Sequence, residues 1–293
     1  MAMTLLFIVN PRAGRARSGA ALFDAVTHFC EAGYLVSVRR TKGPYDATQI
    51  VLDEGANFDR IVCFGGDGTL NEVTNGVLQL ESPPPLGYIP GGSTNDFAAS
   101  LGLPSNPLEC AKRITESQGR MLDVGTFNRR PFVYVASFGA FTKASYSTSQ
   151  SIKNELGHLA YILEGVKDIS TLRPYPATVI TGDEVFDGKF LFGAITNSTS
   201  VGGLMKLKED SVVLDDGQFE LLLIPNPTSA LELQALIRSL LLQDFSSGVI
   251  FHHVSQVTVQ SPEAFPWTLD GEYGSGAEEV EIRNLHQKLQ FLL

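Results

Sequence analysis

Cysteine is scarce: three in 293 residues, Cys30, Cys63 and Cys110, far apart and odd in number. That excludes a disulfide framework and a paired Cys-x-x-Cys metal site, and buried free thiols in a reducing cytosol are the expectation. The five histidines are scattered as well. His252 and His253 are neighbours, and on a strand they would face opposite ways, so a zinc site is not expected. Surplus positive charge is also missing, with 22 Lys and Arg against 32 Asp and Glu and a net charge of -10. This argues against nucleic acid as the main partner, because neutralising phosphates needs excess Lys and Arg. Attraction of the whole molecule to an anionic membrane is disfavoured for the same reason. No apolar run reaches the roughly 18 residues of a membrane span. The short apolar run Thr4 to Val9 is followed, not preceded, by basic residues, the wrong order for a secretory signal. It reads as a first buried strand.

What is present is a globular composition, 43% hydrophobic and 18% charged, with ample material for a core and length for two domains. The first third alternates strand and helix patterns: strands at Leu5 to Val9, Tyr34 to Arg40, Ile61 to Phe64 and Leu86 to Ile89, and helices at Ser18 to Ala32, Asp46 to Glu54 and Leu70 to Leu80. Alternation of this kind predicts a parallel sheet with helices on both faces. After about Met121 the pattern changes to short strands separated by Gly, Asp, Asn and Pro turns: Phe132 to Ser137, Ala177 to Thr181, Lys189 to Thr196, Phe219 to Ile224, Val254 to Gln260 and Val280 to Asn284. Helical patterns at Ile152 to Ser170 and Thr228 to Gln243 interrupt them. The expected architecture is α/β: a Rossmann-like nucleotide-binding domain over residues 1–121, then a mainly antiparallel β-sandwich domain over 122–293, its last strands returning to the first.

Three glycine-bearing loops follow strands in the first domain. Gly65-Gly66-Asp67-Gly68-Thr69-Leu70-Asn71-Glu72 ends a buried strand and opens a helix. Glycines let backbone approach a bulky anion, and the N–H groups and helix dipole favour negative charge. Three glycines alone serve equally as a tight turn. Asp67 changes the reading, since a carboxylate in a phosphate loop repels its ligand unless a cation lies between them. The pairing suggests a metal–nucleotide complex. Pro90-Gly91-Gly92-Ser93-Thr94-Asn95-Asp96-Phe97 repeats the pattern: Ser93 or Thr94 would donate to phosphate or cap the helix, and Asn95 and Asp96 would orient nucleotide or metal. Asn10-Pro11-Arg12-Ala13-Gly14-Arg15 is locally basic, with Arg12, Arg15 and Arg17 either solvated or steadying phosphates. In parallel α/β sheets such loops gather at the carboxyl ends of the strands. There is no Gly-Lys-Ser/Thr P-loop, no protein-kinase His-Arg-Asp or Asp-Phe-Gly, and no Gly-x-Gly-x-x-Gly at the first turn.

These blocks, together with Leu122-Asp123-Val124-Gly125, Asp215-Asp216-Gly217 and Leu269-Asp270-Gly271-Glu272, resemble the diacylglycerol kinase catalytic-domain family and its bacterial soluble lipid kinases. Gly-Gly-Asp-Gly-Thr alone is shared with NAD kinases; the later blocks make the resemblance specific, and it runs over nearly the whole chain. The resemblance implies an active site in the cleft between an α/β domain and a β-sandwich-like one. It implies ATP binding by Thr41, Gly65, Gly66, Asp67, Gly68, Thr69, Leu70, Asn71 and the hydroxyl of Ser93 or Thr94; the loop reading adds Asn10, Arg15 and Asn95. The family writes Gly-Thr-x-Asn-Asp-Phe-Ala where this chain has Ser93 and then Thr94. Glu272 matches the proton acceptor, with Asp270 beside it and Asp67 linked to the catalytic magnesium. Asp216, with the carbonyls of Val213 and Gln218, matches a magnesium site. Asp123 would extend the acidic network near Asp67.

Phosphoryl transfer needs positioning, charge neutralisation and a group to take the hydroxyl proton. The expected activity is magnesium- and ATP-dependent phosphorylation of diacylglycerol or a related lipid to phosphatidic acid, for phospholipid metabolism. The enzyme would be cytoplasmic and touch the membrane peripherally and transiently. Arg39, Arg40 and Lys42 would attract headgroups. The apolar stretch Leu231 to Leu242 is either a core helix or a lipid-facing one. Relatives of this kind commonly dimerise, so a homodimer is a further implication. The alternatives are a kinase for phosphatidylglycerol, a sphingoid or NAD, and a non-catalytic nucleotide- or lipid-binding regulator.

Overall fold

The computed structural model describes residues 2–14, 19–92, 95–139, 163, 172–201, 205–245 and 248–293. Arg15, Arg17, Ser93, Thr94 and all but Leu163 of the helical pattern Ile152 to Ser170 lie outside them. The chain forms two compact units: Met1–Asp123 with Gln287–Leu293, and Val124–His286.

The first unit contains β1 (Met3–Val9), α1 (Gly19–Glu31), β2 (Tyr34–Arg40), α2 (Asp46–Glu54), β3 (Arg60–Gly65), α3 (Asp67–Val77), β4 (Leu86–Pro90), α4 (Asp96–Ser100) and α5 (Pro107–Glu116). Its sheet runs β4-β3-β1-β2, every pair parallel. The end of the last strand adds to β4, also in parallel, with Phe291 opposite Leu86. Period-two alternation sends Leu5, Phe7 and Val9 to one face, where they pack with Ala25 and Phe29 of α1 and with Cys110, Ala111 and Ile114 of α5. Phe7 meets Phe29 edge-on, centroids 5.6 Å apart. Each such buried aromatic or aliphatic side chain contributes about 1.5–3 kcal/mol. Helices α2 and α3 pack together.

The second unit is antiparallel. It holds the end of β5 (Arg120–Phe127), then β6 (Arg130–Phe132), β7 (Val135–Gly139), β8 (Tyr175–Ile180), β9 (Val185–Thr196), β10 (Ser200–Val201), β11 (Met205–Lys206), β12 (Phe219–Pro225), α6 (Ala230–Leu242), β13 (Ile250–Val254), β14 (Gln256–Gln260), β15 (Trp267–Leu269), β16 (Glu272–Gly274) and most of β17 (Glu279–Leu292). The long β9 belongs to two sheets. Its second half pairs with β7 and β12, its first half with β8. One sheet runs β16-β15-β7-β9-β12-β13, the other β9-β8-β14-β17-β5-β6. Phe138, Phe219, Leu221 and Trp267 from one set of strands and Phe132, Val179, Val257, Val259, Val280 and Ile282 from the other share one core. The Rossmann-like unit and the antiparallel β-sandwich are the architecture the sequence predicts.

Several local expectations need correction. Two continuous-looking strands are each broken: Phe132 to Ser137 splits at Val133 and Tyr134, and Val254 to Gln260 splits at Ser255. At Ser255 the chain changes partners, since Val254 pairs with Phe219 of β12 and Gln256 with Arg283 of β17. Helix α3 opens at Asp67, not Leu70. Cys30 is exposed, unlike the buried Cys63 and Cys110, because it sits one position round the helix from the buried Phe29. Helix α6 is neither wholly core nor wholly outward: Leu233, Leu236 and Leu240 are buried while Leu231, Leu241 and Leu242 are exposed.

Candidate functional site

In the first unit the strand ends are in register. Val9 pairs with Arg40 on one side and Phe64 on the other, and Gly65 pairs with Pro90. The loops after β1, β2, β3 and β4 therefore leave one edge of a parallel sheet, where ligands of such sheets bind. They are stitched together by hydrogen bonds. Asn10 N–H donates to Phe64 O (2.9 Å), Thr41 N–H to Val9 O (2.9 Å) and Gly91 N–H to Gly65 O (2.6 Å). Asn10 Nδ2 donates to Thr69 Oγ1 at 2.9 Å, and its Oδ1 accepts the Arg12 N–H at 2.9 Å.

The glycine loops after β3 and β4 meet backbone to backbone. A Cβ on Gly92 would lie 2.7 Å from the Gly66 Cα, and one on Gly66 would lie 3.2 Å from the Gly92 Cα. No side chain other than hydrogen fits that crossing. Asn95 takes the left-handed conformation (φ 52°). Its side chain closes a ring on Gly92, accepting from the Gly92 N–H at 2.8 Å and donating to the Gly92 carbonyl at 2.9 Å. Asp67 opens α3 behind Gly66, and its Oδ2 accepts the Asp96 N–H at 3.2 Å, linking the starts of α3 and α4. The first N–H groups of a helix have no partner inside it, and they carry the positive end of the dipole.

The remaining nucleotide candidates divide by what they can offer. Thr41 is buried behind β2, and Asn71 is buried with its side chain accepting from Asn75 Nδ2. Gly68 lies in the first turn of α3. The Leu70 side chain is core, and its N–H closes the first helical turn on Gly66 O. It contributes position, not a contact group, to a ligand. Arg15, Ser93 and Thr94 lie outside the described residues.

Negative charge is concentrated under this edge. Tyr88 is buried beneath it, and burial first, then the Asp67 charge, pushes its hydroxyl well above the ordinary range. The Cys63 thiol is raised by burial, with Glu72 and Asp67 adding. An anion-binding backbone with a carboxylate set in it suits a phosphate ligand accompanied by a hard cation.

In the second unit, β15 and β16 form a hairpin with Leu269 opposite Glu272. Asp270 and Gly271 both have positive φ, 49° and 84°, the requirement of a tight two-residue hairpin turn. The two carboxylates of this block have opposite surroundings. Asp270 is buried, and it accepts the Val133 N–H on Oδ2 (2.6 Å) and the Tyr134 and Val135 N–H groups on Oδ1 (2.9 and 3.0 Å). Val133 and Tyr134 form the break between β6 and β7, and Val135 opens β7. Asp270, expected beside the base, anchors the turn through these bonds. Glu272 is exposed.

The Asp215-Asp216-Gly217 turn precedes β12. Asp216 Oδ1 accepts the Gln218 N–H at 2.9 Å, and the Gln218 carbonyl accepts from Asn284 Nδ2 at 3.2 Å. Val213 is exposed. Next along the strand, Glu220 is buried with Oε2 unpartnered. Its carboxyl is pushed up to about 8, by burial first, with the Asp216 charge adding and a backbone hydrogen bond opposing. Acidic and carbonyl oxygens gathered at one turn fit magnesium. Among the described residues no three His, Cys, Asp or Glu side chains group for a metal, so carbonyls and water would have to complete the set. Asp123 is buried, and its Oδ1 accepts the Gln287 N–H at 2.6 Å, fastening β5 to β17.

The diacylglycerol kinase catalytic domain model matches residues 4–127. A diacylglycerol kinase of Bacillus subtilis (strain 168) is 34% identical over 289 residues, covering 98% of this chain and 95% of its own length. The chain belongs to the diacylglycerol kinase family. A diacylglycerol kinase of Staphylococcus carnosus (strain TM300) is 31% identical over 97% of this family member and 92% of its own length. Solved structures from Bacillus anthracis str. Sterne, described as diacylglycerol kinases, superpose on it with TM-scores of 0.84 and 0.77 at 25% and 24% identity, each covering 99% of this chain and 97% of its own. Sequence reasoning missed the anchoring role of Asp270 and the isolated carboxyl of Glu220. The first depends on amides more than 130 residues away and the second on burial, and no local motif announces them.

Proposed function

We propose that the chain is an ATP-dependent lipid kinase that transfers the γ-phosphate to the hydroxyl of diacylglycerol, giving phosphatidic acid. The observation that carries this is the glycine crossing at Gly66 and Gly92 with Asp67 beside it: a backbone cradle that favours phosphate and a carboxylate that calls for a cation. Family membership supports the kinase reading, and the names of the relatives support the lipid.

The loops at Asn10, Gly66 and Gly92 hold the triphosphate, with Thr41 and Asn95 completing the nucleotide contacts. Asp67, and in the second unit Asp216 with the Val213 and Gln218 carbonyls, would hold magnesium, which would supply charge neutralisation. Glu272 accepts the proton as the lipid oxygen forms its bond to the γ-phosphorus and the bond to the bridging oxygen of ADP breaks. Asp270 holds the turn from which Glu272 projects. No helix among the described residues is long and apolar enough to cross a membrane. The proposed encounter with lipid is peripheral and transient, at the cytoplasmic surface of a bilayer. Incubation of the protein with labelled ATP, magnesium and a total lipid extract should yield labelled phosphatidic acid. Label in phosphatidylglycerol, a sphingoid or NAD instead would move the substrate assignment, and ATP binding with no transfer would indicate a regulator.

A further inference from the structure

Helix α2 has no cap of its own. Its N-cap is Tyr45, whose side chain makes no capping bond and whose backbone is left-handed (φ 65°), a conformation an aromatic residue holds only under constraint. The cap comes from another helix. Glu72, in the second turn of α3, accepts the Tyr45 N–H on Oε1 (2.9 Å) and the Ala47 N–H on Oε2 (3.1 Å), and Thr48 Oγ1 donates to the Glu72 carbonyl at 2.7 Å. The loop before α2 is closed from its other side as well. Lys42 N–H donates to Asp46 Oδ2 at 2.7 Å, and Thr41 N–H to the last carbonyl of β1.

We infer that Glu72 is a positioning residue for nucleotide binding. It fixes the Thr41 loop against the helix that begins at the phosphate loop, so that Thr41 and Gly66 keep one spacing. This rests on the nucleotide reading of those loops. An ordinary cap would only steady α2. This one joins the two segments that flank the proposed ligand, and a lost spacing is read as lost affinity.

Calorimetric titration of magnesium–ATP into Glu72→Ala should show affinity weakened by about tenfold, with the transfer rate at saturating ATP close to wild type. Glu72→Gln keeps one acceptor oxygen and should fall between; it carries the test if the alanine variant does not fold. Asn106→Ala is the control, because Asn106 caps α5 in the same unit through the Leu108 and Glu109 N–H groups. It should lower Tm while leaving ATP affinity unchanged. Glu72 variants that lose Tm but bind ATP like wild type would overturn the inference. A wild-type protein that binds no ATP would overturn the nucleotide reading beneath it.

Discussion

In the first unit the groups that matter are placed by backbone against backbone: glycine crosses glycine at 66 and 92, and strand-end carbonyls take the loop amides. In the second unit a buried carboxylate places an exposed one: Asp270 takes three amides so that Glu272, two residues on, can stand in solvent. The difference follows from the ligand each is proposed to meet. A triphosphate needs many N–H donors at close range, which only bare backbone can supply. A proton acceptor needs one carboxylate held in place without neutralisation.

The comparison can be broken at either end. Glu272→Gln should have the largest effect, slowing transfer by about 10²–10⁴-fold, measured by label incorporation into lipid. Gly92→Ala comes next. Its methyl would sit 2.7 Å from the Gly66 Cα and 2.8 Å from Asn95 Oδ1, prying the loops apart. ATP affinity should drop by about 10–100-fold with the circular dichroism of wild type, and an unchanged affinity would deny the crossing its role. Asp270→Asn turns an acceptor into a donor facing backbone N–H groups, and should cost about 1–3 kcal/mol of stability by denaturant titration, with transfer slowed and ATP affinity kept.

The last expected effect is one of pH, and it touches stability without touching transfer. Glu220 binds its proton more tightly folded, at about 8, than at the ordinary 4.5. Its contribution is therefore intact below 4.5 and is lost as pH rises through the window to 8. In magnesium-free buffer Glu220→Gln should match wild type at pH 4.5 and gain stability toward pH 8, at most a few kcal/mol. A gain that is the same at both ends of the window would show that ionisation is not its source.

The parallel unit was largely legible because its signals are local. Apolar runs end at Gly and Pro, and β2 and α2 begin and end where the periodicity puts them. Even there α3 was shortened, because Gly68 reads as loop although a first-turn glycine has little helix to break. Helix α5 escaped notice despite Asn106 and Pro107, a cap and first-turn signature. The antiparallel unit was legible in class and less so in detail. Its breaks at Val133 and Ser255 arise where the chain answers a partner more than 100 residues away, or exchanges one partner strand for another. The turn at Asp270 was visible as Asp-Gly, but which of its two carboxylates was buried was not, since burial is decided by the β6–β7 break.

The most direct test of the division between the two units is an equilibrium titration of magnesium–ATP into Glu272→Gln, set beside its rate of transfer to diacylglycerol. The account predicts wild-type affinity with transfer all but abolished. Transfer at the wild-type rate, or affinity lost in step with transfer, would contradict it.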